Sequence, residues 1–393
     1  MSKFWSTQPV NKGIYPEFIN GKIKELDKNM LDNYLPDNLM WFSLDVNDPF
    51  ILNAIHEFLS NHYVTDVNNM YRLDYSKEFL KYGLTYPNYN KDLHLGLLYL
   101  TPGCVTLVGF IAGTLVNLNI NKDCNKKSVV INFLCVHSKL RNKNLAPLLI
   151  KEITKRSVLL NSEIALYTVA KKITKPFSLC YYNNIYLNPK KLKECLFIPD
   201  EMNPTITSLI NKKSQVNYTT RSVNINDIDA IYLLLNIFTS KYKVYQPLSI
   251  EQIKHMFINN NVIHARVIIE NNTKQIIGIY SIYNISSRLL FDNKHSHINF
   301  SNLYYYYYDK NYISIDHIIK ESVILSKKYD YDVFTCLNTM DNKHITPSFI
   351  HYTSVPSEQD GEINKDYSNR LYFYFYNYIC NDIKPEDLGL LLF

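Results

Sequence analysis

The chain has 393 residues, with 42 Lys+Arg against 36 Asp+Glu and a formal net charge of +6. A hydrophobic share of 46% beside 20% charged residues excludes a disordered chain, and only 10 Gly exclude a collagen-like one. The length suffices for two domain-sized cores, and the charge is too mild and too dispersed to call for a nucleic-acid partner.

In chain order, residues 1–40 carry Pro9, Pro16 and Pro36 and read as an extended polar arm. MSKFWSTQPV has no apolar core, so no signal peptide is expected. Val46–Asn61 has helical spacing at Ile51, Ile55, Phe58 and Leu59, and Leu95–Leu118 reads as strands broken at Pro102-Gly103 and Gly113. The longest apolar run, Val105–Val116, falls short of the roughly 20 residues that cross a membrane. Ser128–Val136 is β-rich, His137–Asn144 (HSKLRNKN) is a polar loop, and Leu145–Leu160 is a helix. Pro147 suits that helix's first turn, and Leu145, Leu149 and Ile153 share one face. Tyr167–Thr174 reads as a strand and Asn203–Ser222 as a connector. Beyond it, Ile225–Ser240 is helical and Ala265–Ile285 strand-rich. The aromatic balance is uneven, 33 Tyr and 19 Phe against 2 Trp, as an AT-rich coding sequence produces. Its densest tracts, Tyr304–Tyr308 and Leu371–Tyr378 (LYFYFYNY), read as strands with alternate rings buried. Strands, helix and strands in both halves give an α+β architecture built twice, divided into residues 1–205 and 206–393.

Seven dispersed Cys without a C-x-x-C pair read as reduced thiols, which makes the cytoplasm the default compartment. The 11 His include one close pair, His295 and His297, with no Cys beside it, so no metal is expected. The sharpest local signal is the strand, basic loop and helix over Val129–Leu160. Arg141 and Lys143 open into a helix N-terminus, whose free N–H groups and positive dipole end favour an anion such as a pyrophosphate. A merely solvated loop gives the same pattern. Neither a Walker lysine motif nor a G-x-G-x-x-G fingerprint is present.

INFLCVHSKLRNKNLAPLLIKEITKR (Ile131–Arg156) resembles the signature segment of eukaryotic N-myristoyltransferases. FWSTQPV (Phe4–Val10) is similar to the family's N-terminal acyl-CoA clamp, and HYVTDVNNMYRLDYSKEFL (His62–Leu80) to its gating loop. Leu166–Leu192, Asp330–Asn342 and the ending LGLLLF continue the resemblance in order along nearly the whole chain.

The resemblance implies a tandem GNAT fold, two pseudo-symmetric halves sharing a saddle-like sheet. The first half would bind myristoyl-CoA, as co-substrate rather than prosthetic group, and the second would form most of the peptide groove. The implied reaction moves myristate to the α-amine of an N-terminal glycine, with acyl-CoA binding first, in a monomer without metal, nucleic-acid or membrane-spanning requirements. Backbone amides of Phe133 and Leu134, turned out by a bulge, would hold the oxyanion. The carboxylate of Phe393 would serve as base, drawn inward by LGLLLF, while Asn132 and Thr168 hold the glycine end. Lys3, Phe4, Trp5, Phe133, Leu134, Cys135, Val136, Arg141, Asn142, Lys143, Asn144, Leu145 and Ala146 would line the acyl-CoA. Tyr63, Asp66, Tyr71, Tyr182 and Asn184 would line the peptide, with Asn184 where the family has histidine. Two departures stand out. The gating loop keeps only Asp66 of an acidic cluster, which should weaken preference for basic peptides. The family's glycine-rich KFGxGDG block is replaced by Ser354–Leu371, where Asp366 is the candidate substitute acid. His137 reads as a loop-packing residue rather than a base. The competing readings are a silent acyl-CoA or acyl-peptide binding module and a GNAT acetyltransferase for small amines.

Overall fold

In this computed structural model the structure describes residues 3–15, 20–26, 35–66, 68–121, 123–258, 261–351, 369–380 and 382–391. Local sequence explains where its main elements begin. Helix α2 (Pro49–His62) starts because Pro49 suits the first helical position and the Asp48 carboxylate accepts from the Phe50 amide; it buries Ile55, Phe58 and Leu59. Around it, the N-terminal half runs α1 (Lys3–Thr7), β1 (Gly21–Lys22), β2 (Leu39–Ser43), α2, β3 (Tyr71–Asp74) and α3 (Lys77–Leu84). It continues through β4 (His94–Thr101), β5 (Cys104–Ile120), β6 (Asp123–Val136), α4 (Leu145–Leu159), β7 (Ile164–Val169), β8 (Ser178–Tyr186) and α5 (Pro189–Glu194). β4 and β5 form a hairpin across Pro102-Gly103, where Gly103 takes φ +78°.

The second half runs α6 (Thr207–Ile210), β9 (Tyr218–Ser222), α7 (Ile228–Thr239), β10 (Val244–Tyr245), α8 (Ile250–Phe257), β11 (Ile263–Glu270) and β12 (Ile276–Leu289). β13 (His297–Leu303), β14 (Tyr307–Tyr308), α9 (Ile315–Lys328), β15 (Val333–Leu337), β16 (Arg370–Tyr376), β17 (Tyr378–Ile379) and β18 (Leu388–Gly389) complete it. Among the described residues one large sheet runs in the order β18-β10-β5-β6-β7-β16-β8-β15-β13-β12-β11-β9, with β4 and β2 added on β5. The halves exchange strands. β16 lies between β7 and β8, and β10 and β18 extend from β5, while β3 joins β12. The parallel pair β6–β7 of the first half is repeated as the parallel pair β13–β15 of the second. This is the mixed architecture expected of the tandem fold.

Several elements differ from the sequence reading. The arm contains the helical turn α1 and strand β2, because Leu39 and Trp41 pack on the core beneath β4. The strand expected at Tyr167–Thr174 lies at Ile164–Val169, and the expected connector holds α6 and edge strand β9. Neither tyrosine tract alternates. Tyr304, Tyr305, Tyr306 and Tyr308 are all buried, with pairing confined to Tyr307–Tyr308, and Tyr372–Tyr376 is buried without interruption. The reason is position: β16 lies inside the sheet, with neighbours on both edges and both faces covered. Asp366, most of Ser354–Leu371 and Phe393 lie outside the described residues.

Candidate active site

The site starts where two strands part. β6 and β7 pair in parallel from Ser128–Ile164 to Val130–Leu166 and no further. Asn132 and Thr168 each lie two residues past that last pair, one on either side of the opening; Thr168 is held from its far edge by Phe373. On the β5 side, Phe110 pairs with Cys135 and Ala112 with Asn132, so Phe133 and Leu134 together oppose Ile111. Two residues against one is a β-bulge, which takes backbone groups out of the ladder and re-aims them. Phe133 adopts φ +57°, a left-handed conformation costing roughly 1–2 kcal/mol for an L-residue with a side chain. Its buried ring is fixed by Tyr75, edge to face at 5.2 Å, and by Tyr63 at 6.3 Å. The adjacent Cys135 is buried, which pushes its thiol up to about 12 and keeps it protonated. A thiol in that state is no nucleophile.

The basic loop leads from this bulge to α4. Asn142 and Asn144 take φ +67° and +59°, the left-handed region that Asn tolerates better than most residues. Asn144 is the N-cap of α4 but supplies no side-chain bond, so the first turn from Leu145 and Ala146 keeps its orphan amides. Arg141 and Lys143 are exposed beside it. Arg141 Nη2 donates to the His62 carbonyl at 2.5 Å, joining the loop to the end of α2. The His62 and His137 rings lie 4.0 Å apart. His62 is pulled down to about 4 by burial first and then by the charges of His137, Arg72 and Arg141. His137 Nδ1 accepts from the Lys139 amide and caps the short turn after it, a packing role.

The N-terminal arm closes over β7 and β16. The Trp5 ring stacks on Tyr167 at 5.7 Å, and Tyr167 on Tyr374 at 5.3 Å; Phe4 meets Trp5 edge to face at 5.0 Å. The Tyr376 hydroxyl donates to Gln8 at 2.9 Å and the Asn377 amide to the Pro9 carbonyl at 2.7 Å. Lys3 is exposed at the arm's start. This brings the arm next to Thr168 through the strand that carries both Tyr167 and Thr168.

From the opposite end of the sequence, Leu388, Leu390 and Leu391 are all buried. Leu391 lines a cavity of about 30 Å³ with Asn132, Thr114, Tyr86, Gln246 and Tyr305. Leu391 and the β6 opening thus share one small cavity, room for about a water molecule. Tyr305, Tyr86 and Gln246 were not singled out from sequence. A tyrosine tract and a lone glutamine carry no spacing that marks them.

The residues expected at the gate and the peptide are drawn into local structure. Both oxygens of Asp66 are occupied by backbone amides: Asn68 at 3.0 Å, Met70 at 2.7 Å and Tyr71 at 2.8 Å. Tyr63 ends α2 with its amide on the Leu59 carbonyl. The Tyr71 hydroxyl donates to the Cys195 carbonyl at 2.8 Å, and its ring meets Phe197 and Phe291 edge to face. Tyr182 pairs with Leu337, and burial pushes its hydroxyl up to about 12. Asn184 pairs with Thr335, and its carbonyl accepts from the His351 amide at 2.7 Å. The His351 ring itself lies against Tyr186, with Nδ1 accepting from the Tyr186 amide at 2.9 Å. Among the described residues no group of three or more His, Cys, Asp or Glu is placed to hold a metal, and no helix is long and apolar enough to cross a membrane.

Comparison with known proteins places the chain in a family. The family model described as Myristoyl-CoA:protein N-myristoyltransferase, N-terminal domain, matches residues 20–180, and the model of its C-terminal domain matches residues 201–388. The chain is 32% identical to a glycylpeptide N-tetradecanoyltransferase of Dictyostelium discoideum, over 99% of this chain and 92% of that protein. It is likewise 32% identical to one of Plasmodium falciparum, over 99% of this chain and 93% of that protein. A crystal structure of Saccharomyces cerevisiae N-myristoyltransferase with bound myristoyl-CoA superposes with TM-score 0.85 at 27% identity, covering 100% of this chain and 95% of that one. With both family models together spanning most of its length and the split, the bulge and the helix end in place, the chain belongs to the myristoyl-CoA:protein N-myristoyltransferase family.

Proposed function

We propose that the chain transfers myristate from myristoyl-CoA to the α-amine of an N-terminal glycine on protein substrates. The observation that carries this reading is the bulge at Phe133–Leu134, set at the mouth of the β6–β7 opening and one loop away from the uncapped start of α4. Amides freed by such a bulge are suited to the developing oxyanion of a thioester under attack, and the α4 end with Arg141 and Lys143 to phosphate groups. Trp5 and Phe4, fixed on β7, would close over the acyl-CoA.

The chemistry then needs a base. The glycine nitrogen attacks the thioester carbon once its ammonium has given up a proton. The C–S bond breaks and the departing CoA sulfur takes a second proton from that nitrogen, while the first ammonium proton must be held by a base. We assign that proton to the terminal carboxylate of Phe393. A free α-carboxyl titrates near 3.3–3.7 and an α-amine near 7.7–8.0, so the transfer is uphill by about four pK units in water. A desolvated site narrows the gap because burial disfavours both charged forms. The support is that Leu388–Leu391 runs buried up to the cavity that also holds Asn132.

Two measurements test the reading. Single-turnover release of CoA thiol should require a Gly-initiated peptide and fail with an Ala-initiated one. Binding of myristoyl-CoA and peptide with no thiol release would instead favour a silent binding module. Appending one residue after Phe393 should sharply reduce turnover while myristoyl-CoA affinity is kept. Unchanged turnover would remove the base assignment and leave the transferase reading intact.

A further inference from the structure

The last described residues of the chain are held by two tyrosines that lie far from them in sequence. Tyr305 is fully enclosed; its hydroxyl receives the backbone amide of Leu391, and its own carbonyl accepts from Ser281 Oγ at 2.7 Å. Both Tyr305 and Leu391 line the cavity that contains Asn132. Two residues earlier, Gly389 lies flat on the ring of Tyr242. A Cβ at Gly389 would come within 2.6 Å of Tyr242 Cδ2 and 3.0 Å of its Cβ and Cγ. The ring cannot easily withdraw. Its hydroxyl donates to Asp341 at 3.2 Å, and Asp341 also receives the Tyr308 hydroxyl at 2.9 Å and the Lys241 ammonium at 2.9 Å. Lys241 in turn sits over the rings of Phe238 and Tyr242, at 3.8 and 4.8 Å from their centroids. β18 itself contributes little restraint, being two residues paired in parallel with β10.

We propose that Tyr305 and Tyr242 are positioning residues for acyl transfer: Tyr242 sets how deep the C-terminal segment lies, and Tyr305 fixes the Leu391 amide against the cavity beside Asn132. The inference rests on the reading of the Phe393 carboxylate as base, because a catalytic carboxylate must be brought to its proton with sub-ångström care. Neither tyrosine touches substrate in this scheme. Their effect is on turnover through the segment they hold.

The test compares Tyr305→Phe, Gly389→Ala and the double variant Gly389→Ala/Tyr242→Leu with the unaltered chain, measuring kcat, myristoyl-CoA affinity and thermal midpoint. Tyr305→Phe keeps the ring and removes only the hydroxyl. Its kcat should fall about 10-fold or more while myristoyl-CoA Kd stays within about twofold. Gly389→Ala should lower kcat similarly, and Tyr242→Leu, by making room for the added methyl, should restore much of it. A fall in kcat with myristoyl-CoA Kd and thermal midpoint unchanged is what a purely structural role would not produce. Equal kcat in Tyr305→Phe, or no rescue in the double variant, would overturn the proposal. The extended chain separates the two readings: if it loses turnover and Tyr305→Phe does not, the base assignment stands and this inference fails. If the extended chain keeps full turnover, both fall.

Discussion

Arg141 and the backbone carbonyl of His62 meet at 2.5 Å, so one guanidinium joins the basic loop before α4 to the C-terminal end of α2. That end leads, at Tyr63, into the segment expected from sequence to gate the site. The same turn attracts two more guanidinium groups, since Arg72 and Arg288 both donate to the Ser60 carbonyl. Cations at a helix C-terminus are favourable because the last carbonyls lack intrahelical partners. Arg141 is thus shared between a helix end and the loop proposed to face phosphate.

Arg141→Ala should weaken myristoyl-CoA binding about 10-fold or more and also raise the peptide KM, since the anchor of the gating segment is lost with the charge. Arg141→Lys should recover part of the acyl-CoA affinity and little of the peptide effect, because an ammonium lacks the planar fork that reaches two partners at once. Calorimetric titration with myristoyl-CoA beside peptide-dependence kinetics separates the two. Loss confined to acyl-CoA binding would mean the His62 contact is incidental.

Asp66 leads to a different expectation from the one its charge suggests. A carboxylate accepting three backbone amides is committed to shaping its own loop. Hydrogen bonds to a charged group contribute about 1.5–3 kcal/mol each, so the loop depends on it more than a substrate lysine would. Asp66→Asn should raise peptide KM to a similar extent for neutral peptides and for peptides with basic residues. A selective loss on basic peptides would restore Asp66 as a recognition group.

Much of this site is legible in the sequence because its parts are contiguous. The bulge, the basic loop and α4 come from one stretch, Ile131–Arg156, and Trp5 and Thr168 fall in recognisable blocks. What is not legible is long-range. Tyr305 meets Leu391 across the second half of the chain, and Gly389 meets Tyr242 through a strand pairing that leaves no periodic mark. The second tyrosine tract misled for the same reason. Alternation records one solvated face, and β16, inserted between strands of the other half, has none. At Asp66 the residue type suggests recognition, while three backbone amides of its own loop already occupy both its oxygens, which no sequence pattern marks.

The bulge at Phe133 separates backbone shape from side-chain chemistry. If its amides do the work, the conformation at φ +57° should matter more than the ring. Phe133→Asn, which tolerates the left-handed region, should lose stability through the missing contacts with Tyr63 and Tyr75 yet retain kcat within about 10-fold. Phe133→Val places a β-branched side chain where φ is positive and should flatten the bulge, lowering kcat by about 10²–10³, the usual cost of removing an oxyanion donor. Equal kcat in both variants would count against an amide role.

His94 supplies a pH dependence of stability that is separate from catalysis. Its side chain is 1% exposed, opens β4, and has a buried Nδ1 without a hydrogen-bond partner among the described residues. Burial pulls it down to about 4, opposed only by the Asp45 charge. The unfolded chain therefore takes up the proton near pH 6.5 and the folded chain only near 4, so the unfolded state binds more protons across that window. Stability must fall as pH drops from about 6.5 to 4. For this one residue the loss between pH 7 and pH 5 is roughly 2 kcal/mol. Urea melts at the two pH values should show His94→Leu losing less stability on acidification than the unaltered chain, by about that amount. Parallel pH dependence in the two proteins would mean that His94 gains a partner on protonation.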